Sequence, residues 1–199
     1  MAQTVIRALA VTVSNRAAAG VYEDKSGPVL VELLRSAGCA VDGPLVIPDG
    51  EPVEAALQRL GTIRFRKVAM QPGMPQGFGT VALASGTERV PIFTLPGNPV
   101  SAYVSFQVFA RPAIGALQAY DGLGLKSVQA ELTGSLRSPP GRRSFLRGVL
   151  DRSRRHVTPL TGQGSHQVAT LGKANALVVV PESVEHMAEG ETAEVLILP

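Results

Sequence analysis

The sequence predicts an α/β domain with a mostly parallel sheet, followed by a small, mostly antiparallel β domain. Three observations predict this architecture. Strand-like and helix-like segments alternate from Ile6 to about Leu60. A strand, a tight turn and an uncharged helix follow between Pro91 and Pro112. From Val128 onward, short β-like runs are separated by proline, glycine and serine.

The first segment has the order strand, helix, strand, helix. The apolar run from Ile6 to Val13 predicts a strand, and Ser26 is a predicted N-cap for a helix that Gly38 ends. A second strand is predicted from Val41 to Ile47, and a short helix from Glu51 to about Leu60. This order is typical of the beginning of a parallel sheet.

The segment from Pro91 to Pro112, PIFTLPGNPVSAYVSFQVFARP, carries the strongest functional signal. The residues from Ile92 to Leu95 predict a short buried strand. Gly97 allows the backbone to approach another molecule closely, and Asn98 followed by Pro99 is a preferred pair for the start of a helix. We call residues 96–99 the PGNP turn.

The helix after the PGNP turn has no acidic residue in its first turn, from Val100 to Tyr103. Its free N–H groups and positive dipole end are therefore predicted to be left for an anion such as a phosphate. The same strand, turn and helix also occur as an ordinary connection in α/β proteins. The uncharged residues through Phe109 are equally compatible with a core helix or a helix in a subunit interface.

The last part of the chain reads as a β domain joined by a linker. Tyr120 to Lys126 is rich in glycine and lacks apolar periodicity, which is typical of a linker. We therefore expect an α/β domain over residues 1–119, a linker over 120–127 and a β domain over 128–199. The β-like runs are Val128–Leu136, Ser144–Leu150, Val157–Leu160, Leu177–Val180 and Ala193–Leu198.

Composition indicates a soluble cytoplasmic protein that binds small anions. The formal net charge of +3 is too small to predict a nucleic-acid partner, although six arginines cluster between Arg142 and Arg155. Cys39 is the single cysteine, so no intramolecular disulfide or cysteine-based metal site is expected, which fits a reducing cytoplasm. No signal peptide or membrane span is visible, so no membrane partner is expected.

Several blocks resemble one enzyme family in a fixed order. FRKVAMQPGMPQGFG (Phe65–Gly79) and the segment around the PGNP turn are followed by GRRSFLRG (Gly141–Gly148), QGSH (Gln163–His166) and ANALVVVPE (Ala174–Glu182). Together they resemble the molybdopterin molybdenumtransferases, over roughly residues 59–199. The ordered co-occurrence of the blocks is far more specific than any one motif.

The front of the chain resembles a related type of domain. Residues 11–50 are similar to the molybdopterin adenylyltransferase type, although Asn15 stands where an Asp is usual. The two resemblances meet at a seam near Gln58 and Arg59. Both families normally place a further strand with a Gly-Gly turn there, and none is present between Leu57 and Ile63. The resemblance thus implies a three-layer molybdopterin-binding-like domain with a mostly parallel sheet that is truncated at its centre.

The resemblance also implies the candidate site residues. Family members often have a Lys where Met74 stands in the QPGMP loop (residues 71–75). The catalytic candidates are Asp49, Arg142 (with Arg143 as the alternative arginine) and Ser165, and Asp49 is also the candidate ligand for Mg²⁺. The candidates for pterin binding are Ser14, Pro72, Gly73, Pro75, Pro96, Gly97, Asn98, Pro99 and Ser101. Asn15, Tyr22 and His166 are expected nearby.

Each candidate has a purely structural alternative. The QPGMP loop could be a hairpin connection between a strand ending at Met70 and one beginning at Val90, and the paired arginines could lie on a solvated hairpin face. Asp49 precedes Gly50, an ordinary turn pair ahead of a helix. His166 could have a capping or turn role.

The activity implied by the resemblance is insertion of molybdate into adenylylated molybdopterin with release of AMP. The implied ligands are Mg²⁺, molybdopterin as the adenylylated substrate, and molybdate, and a homodimer is expected. Such a reaction depends on positioning two anions, and no Ser-His-Asp arrangement is apparent. The alternatives are a molybdopterin adenylyltransferase, or a non-catalytic remnant that folds or dimerises without activity.

Overall fold

The computed structural model describes residues 5–49, 53–83, 88–161 and 168–199. Its helices are α1 (Asn15–Ala18), α2 (Ser26–Ser36), α3 (Val53–Leu60), α4 (Pro99–Ser105), a π-helical segment (Phe106–Ala110), α5 (Arg111–Leu117) and 3-10 turns at Asp121–Leu123 and Val168–Lys173. Its strands are β1 (Arg7–Val13), β2 (Ala40–Ile47), β3 (Arg64–Lys67), β4 (Met70–Gln71), β5 (Pro75–Ala82), β6 (Arg89–Thr94), β7 (Ser127–Leu132), β8 (Leu136–Arg137), β9 (Arg143–Asp151), β10 (His156–Pro159), β11 (Ala176–Val180), β12 (His186–Met187) and β13 (Thr192–Ile197).

The chain divides into two compact units. The first, unit 1, comprises Met1–Val68 and Pro75–Leu123. The second, unit 2, comprises Gly124–Pro199 together with the short segment Ala69–Met74. The QPGMP loop therefore belongs almost entirely to unit 2, although its neighbours in sequence on both sides belong to unit 1.

Unit 1 begins with a parallel strand pair. Strand β1 pairs with β2 from Arg7 opposite Ala40 to Val13 opposite Ile47, with a register shift between Leu9 and Val11. The order β1, α2, β2 is the one that the sequence predicts, and Gly38 follows α2 in the left-handed conformation with φ of +80°. That conformation favours glycine and ends the helix.

The remaining strands of unit 1 form a separate antiparallel sheet in the order β3-β5-β6. The expectation of one mostly parallel sheet is therefore wrong, since β1–β2 is the parallel pair among the described strands of this unit. The two sheets stay separate because no described strand pairs with both the free edge of β1 and the free edge of β6. The predicted seam lies inside α3, which ends at Leu60.

One helical run holds the core of unit 1. Helix α4, the π-helical segment and α5 follow each other without a break, and Phe106 at their centre is 0% exposed. Phe106 belongs to a buried cluster with Leu33, Ala37, Cys39, Ala110, Ile114 and Leu123. Partly buried side chains from β1, β2 and β6 pack against this cluster, so the uncharged helix predicted from the sequence is a core helix.

Unit 2 is built on one mixed, mostly antiparallel sheet. Its strand order is β10-β7-β13-β11-β9-β4, and β12 pairs with β8 in a smaller sheet. Strand β11 is buried along its whole length, and its alternate residues Ala176, Val178 and Val180 belong to the core cluster of this unit. The β-like runs predicted from the sequence are all strands here, within a few residues at their ends.

Within the described ranges, no helix has the length and apolar character needed to cross a membrane.

Candidate functional site

The loops after β1 and β2 in unit 1 are held together by side-chain hydrogen bonds. Asn15 donates from Nδ2 to the carbonyl oxygen of Asp49 (3.3 Å) and accepts from the Asp49 backbone N–H at Oδ1 (2.8 Å). Ser14 accepts the N–H of Ala17 at Oγ (3.3 Å), and its hydroxyl lies 3.2 Å from that of Tyr22. The structure thus brings Ser14, Asn15, Tyr22 and Asp49 together at the carboxyl ends of parallel strands, where open α/β sheets bind ligands.

Asp49 is the sequence candidate for a metal ligand. Asp49 is exposed, and its carboxylate has no hydrogen bond or ion pair within the part of the chain that the structure describes. The described residues contain no group of three His, Cys, Asp or Glu side chains that could hold a metal ion. One free carboxylate still fits Mg²⁺ that takes its other ligands from phosphate oxygens and water.

The PGNP turn has the helix start that the sequence predicts. Asn98 is the N-cap of α4 and Pro99 is its first residue. The Asn98 carboxamide oxygen accepts the N–H groups of Val100 (3.1 Å) and Ser101 (3.5 Å). The expectation that these N–H groups are left for an anion is therefore wrong, because the cap already satisfies them. Gly97 is exposed, and a methyl group added there would meet no atom within 4 Å.

The residue that caps helix α2 differs from the one that the sequence predicts. Ser26 does not cap this helix; Asp24 accepts the N–H groups of Ser26 (3.0 Å) and Gly27 (3.1 Å) at Oδ1 instead. The Ser26 hydroxyl is then free to donate to the carbonyl oxygen of Gly97 at 2.7 Å. The spacing of Asp24 ahead of a helical run is a capping signal that could have been found in the sequence.

In unit 2 the QPGMP loop begins on strand β4, which pairs with the strand that carries Arg143. Strand β4 pairs with β9 in parallel, with Met70 opposite Arg143, and the Arg143 N–H donates to the carbonyl oxygen of Ala69 at 3.0 Å. Gly73 in the loop is buried and has φ of +100°, which favours glycine. The alternative of a hairpin between a strand ending at Met70 and one beginning at Val90 is wrong, because β4 and β6, which contain these residues, belong to different sheets.

The two neighbouring arginines differ in their partners. Arg143 Nε lies 3.1 Å from Glu182 Oε2, an exposed ion pair. Arg142 is half-buried and makes no ion pair or hydrogen bond to any residue that the structure describes. Arg147 of the same segment is 1% exposed, and burial lowers the pKa of its guanidinium. Arg142 is thus the arginine that remains available for an external anion.

Substitution of Arg143 by Gln is expected to raise the pKa of Glu182. The Glu182 backbone N–H, and then the hydrogen bond and charge of Arg143, hold the pKa of this carboxyl below its usual range. The pair therefore contributes stability above the ordinary Glu pKa and loses it as the pH falls through the lowered value. A carboxyl-detected NMR titration measures the change, and Arg142→Gln is the matched control; an unmoved Glu182 titration in Arg143→Gln would contradict the pairing.

Ser165 and His166 lie outside the described residues. The remaining pterin candidates are distributed over both units: Pro75, Pro96 and Ser101 lie in unit 1, and Pro72 lies in unit 2. Ser101 is 6% exposed and is part of the buried side of α4. Pro75 is the first residue of β5.

Comparisons with known proteins match two ranges of the chain to family models. Residues 129–198 match the MoeA C-terminal region (domain IV), and residues 51–116 match the probable molybdopterin binding domain. Molybdopterin molybdenumtransferase 2 of Mycobacterium tuberculosis is 46% identical over 133 residues, which cover 67% of this chain and 31% of that protein. Molybdopterin molybdenumtransferase 1 of the same organism is 39% identical over 155 residues, covering 74% and 35%.

A solved structure extends the likeness to the front of the chain. The molybdopterin biosynthesis MoeA protein of Pyrococcus horikoshii superposes with a TM-score of 0.74 at 18% identity, covering 98% of this chain and 54% of that one. The fold is thus that of the MoeA proteins. Residues 51–116 thus match a probable molybdopterin binding domain and residues 129–198 a MoeA C-terminal region, and the relatives to which the chain is similar are named molybdopterin molybdenumtransferases. The chain spans about a third of the length of the two mycobacterial relatives.

Proposed function

We propose that the chain acts in molybdenum cofactor biosynthesis as a molybdopterin molybdenumtransferase that inserts molybdate into adenylylated molybdopterin and releases AMP. The observation that carries the proposal is the pairing of β4 with β9, which sets Gln71, the first residue of the QPGMP loop, opposite Ser144, two positions after Arg142. A positive-φ glycine in this loop and an arginine without an ion pair among the described residues are groups suited to a small oxyanion.

The two units supply different parts of the proposed mechanism. In unit 2, Arg142 would offset the negative charge of an oxyanion such as molybdate. In unit 1, Ser14 and the half-buried PGNP turn would contact the pterin, and Asp49 would hold Mg²⁺ through a carboxylate that has no partner among the described residues. The metal would neutralise phosphate charge when bound. The protein groups in this scheme position the anions or hold the metal, and none forms a covalent bond.

AMP release tests this function directly. The purified chain is incubated with adenylylated molybdopterin, molybdate and Mg²⁺, and AMP is measured against a reaction without protein. Molybdate-dependent AMP release supports the proposal. A rate no higher than the background rejects it, and adenylate formation from molybdopterin and ATP would support the adenylyltransferase alternative instead.

A second candidate, the non-catalytic remnant, is favoured by the open sheets of unit 1. Strands β1 and β6 each have one paired edge among the described strands. Leu9 on β1 and Leu45 on β2 are 60% and 51% exposed, which is unusual for large apolar side chains in a sheet. This candidate predicts no turnover and no molybdopterin binding in calorimetry. A homodimer remains a proposal that sedimentation would test.

Arg142→Gln is expected to weaken molybdate binding by roughly ten- to a hundredfold, because a hydrogen bond to a charged group contributes about 1.5–3 kcal/mol. Isothermal titration with molybdate measures the affinity. The matched control is Arg152→Gln, which removes the same charge from an exposed residue in the turn between β9 and β10. Equal losses in the two variants would indicate a general charge effect rather than a contact at Arg142.

A further inference from the structure

We infer that Asp24 and Ser26 are positioning residues that hold the PGNP turn in place. The inference rests on the proposed function of that turn. The Ser26 hydroxyl donates to the carbonyl oxygen of Gly97 at 2.7 Å, and the two residues are 71 positions apart in the chain. This bond fixes the orientation of the peptide group that follows Gly97.

Little else restrains Gly97. The residue is exposed, and the space where its Cβ would stand is open to a distance of 4 Å. A glycine in such an environment has more backbone freedom than any other residue. The Ser26 hydrogen bond therefore restrains the backbone of a residue around which little else is packed.

Asp24 in turn holds Ser26. Its Oδ1 accepts the backbone N–H groups of Ser26 and Gly27, which fixes the first turn of α2. Gly27 is packed so closely that a Cβ there would overlap side-chain atoms of Asp24, Pro44 and Thr12. The Asp24 side chain, Thr12 of β1 and Pro44 of β2 therefore all lie close to Gly27, and the second oxygen of Asp24, Oδ2, is buried with no hydrogen-bond partner among the described residues.

The contacts form a connection from the first sheet to the end of the second. Thr12 on β1 and Pro44 on β2 pack at the start of α2. Asp24 accepts the N–H of Ser26, and the Ser26 hydroxyl donates to the carbonyl oxygen of Gly97, which follows β6. No backbone hydrogen bond joins β1 to β6 among the described strands. In a unit whose two sheets are not joined by strand pairing, such a side-chain connection decides where the PGNP turn lies relative to the loops of Ser14 and Asp49.

The test compares variants that remove or retain the two hydrogen-bonding groups. Ser26→Ala removes the hydroxyl and Ser26→Thr keeps it; Asp24→Ala removes the cap and Asp24→Asn keeps the Oδ1 acceptor. Ser36→Ala is the matched control, because the Ser36 hydroxyl donates to Leu33 within the same helix, at its far end. Hydrogen exchange of the amides of Gly97, Asn98, Val100 and Ser101 and calorimetric binding of molybdopterin are measured for each.

We expect Ser26→Ala and Asp24→Ala to accelerate amide exchange over residues 97–101 and to weaken molybdopterin binding about fivefold, as for loss of one neutral hydrogen bond. Ser26→Thr, Asp24→Asn and Ser36→Ala should match the unmodified chain. Unchanged exchange in Ser26→Ala, or an increase spread evenly over unit 1, would overturn the inference. If the unmodified chain binds no molybdopterin, the proposed function fails, and the exchange data still decide whether the turn is held.

Discussion

Phe106→Ala is expected to destabilise unit 1 by about 3–5 kcal/mol, the usual cost of removing a fully buried aromatic ring. Phe106 is 0% exposed and lies at the centre of the cluster against which side chains of β1, β2 and β6 pack. Because the two sheets of this unit are not joined by strand pairing, their common contact with this cluster holds them together. Whole domains are stable by only about 5–15 kcal/mol, so the loss is a large fraction of the total.

Urea unfolding followed by far-UV circular dichroism measures this effect. The matched control is Phe78→Ala in the same unit, where the ring is 55% exposed and lies against Phe93 with a centroid distance of 4.8 Å. The control should lose much less stability, because far less apolar area leaves the interior. Similar losses for the two variants would show that the Phe106 cluster is not the core of unit 1.

Gly79→Ala is expected to lower the free energy of unfolding of unit 1 by roughly 1–3 kcal/mol. A Cβ at Gly79 would lie 2.5 Å from the Cα of Ile63 and 2.7 Å from the carbonyl oxygen of Thr62. Both atoms belong to the backbone next to β3, so no side-chain rotation can relieve the contact. We expect the pairing of β3 with β5 to open at this end.

The thermal unfolding midpoint of Gly79→Ala tests this expectation, and hydrogen exchange over β3 and β5 locates the change. Gly97→Ala serves as the stability control, because a methyl group at Gly97 meets no atom within 4 Å. It should therefore leave the midpoint near that of the unmodified chain. A Gly79→Ala midpoint as high as that of Gly97→Ala would contradict the close approach of β3 and β5.

Local pattern predicted many elements of the chain, but not strands β5 and β12. Asn98 with Pro99 predicted a helix start because capping depends on neighbours in sequence, and the structure has this cap. The short β-like runs after Val128 predicted strands for the same reason, since turn residues separate them. Helix α2 was predicted too, but its cap was assigned to Ser26 instead of Asp24, because both are good capping residues two positions apart.

The candidate site was predicted less completely. The resemblance selected Arg142 and Arg143 as alternatives, and their chemistry is identical in the sequence. The ion pair with Glu182 distinguishes them, because it occupies Arg143 and leaves Arg142 without a partner among the described residues. Glu182 lies 39 positions from Arg143, so no local pattern could have indicated the pair. The burial of Arg147 could likewise not be predicted from the sequence, because five consecutive residues of β9 are buried and do not alternate between buried and exposed.

The sequence by itself predicted the order β1, α2, β2, the resemblance of residues 59–199 to the molybdopterin molybdenumtransferases, and the turn that starts α4, because each of these is encoded in neighbouring residues or in ordered motifs. The tertiary structure alone decided that unit 1 has two sheets, that the QPGMP loop pairs with β9, and that Ser26 holds Gly97. These features depend on contacts between residues far apart in the chain. Which partners such residues find is set by the packing of the whole unit and not by any local pattern.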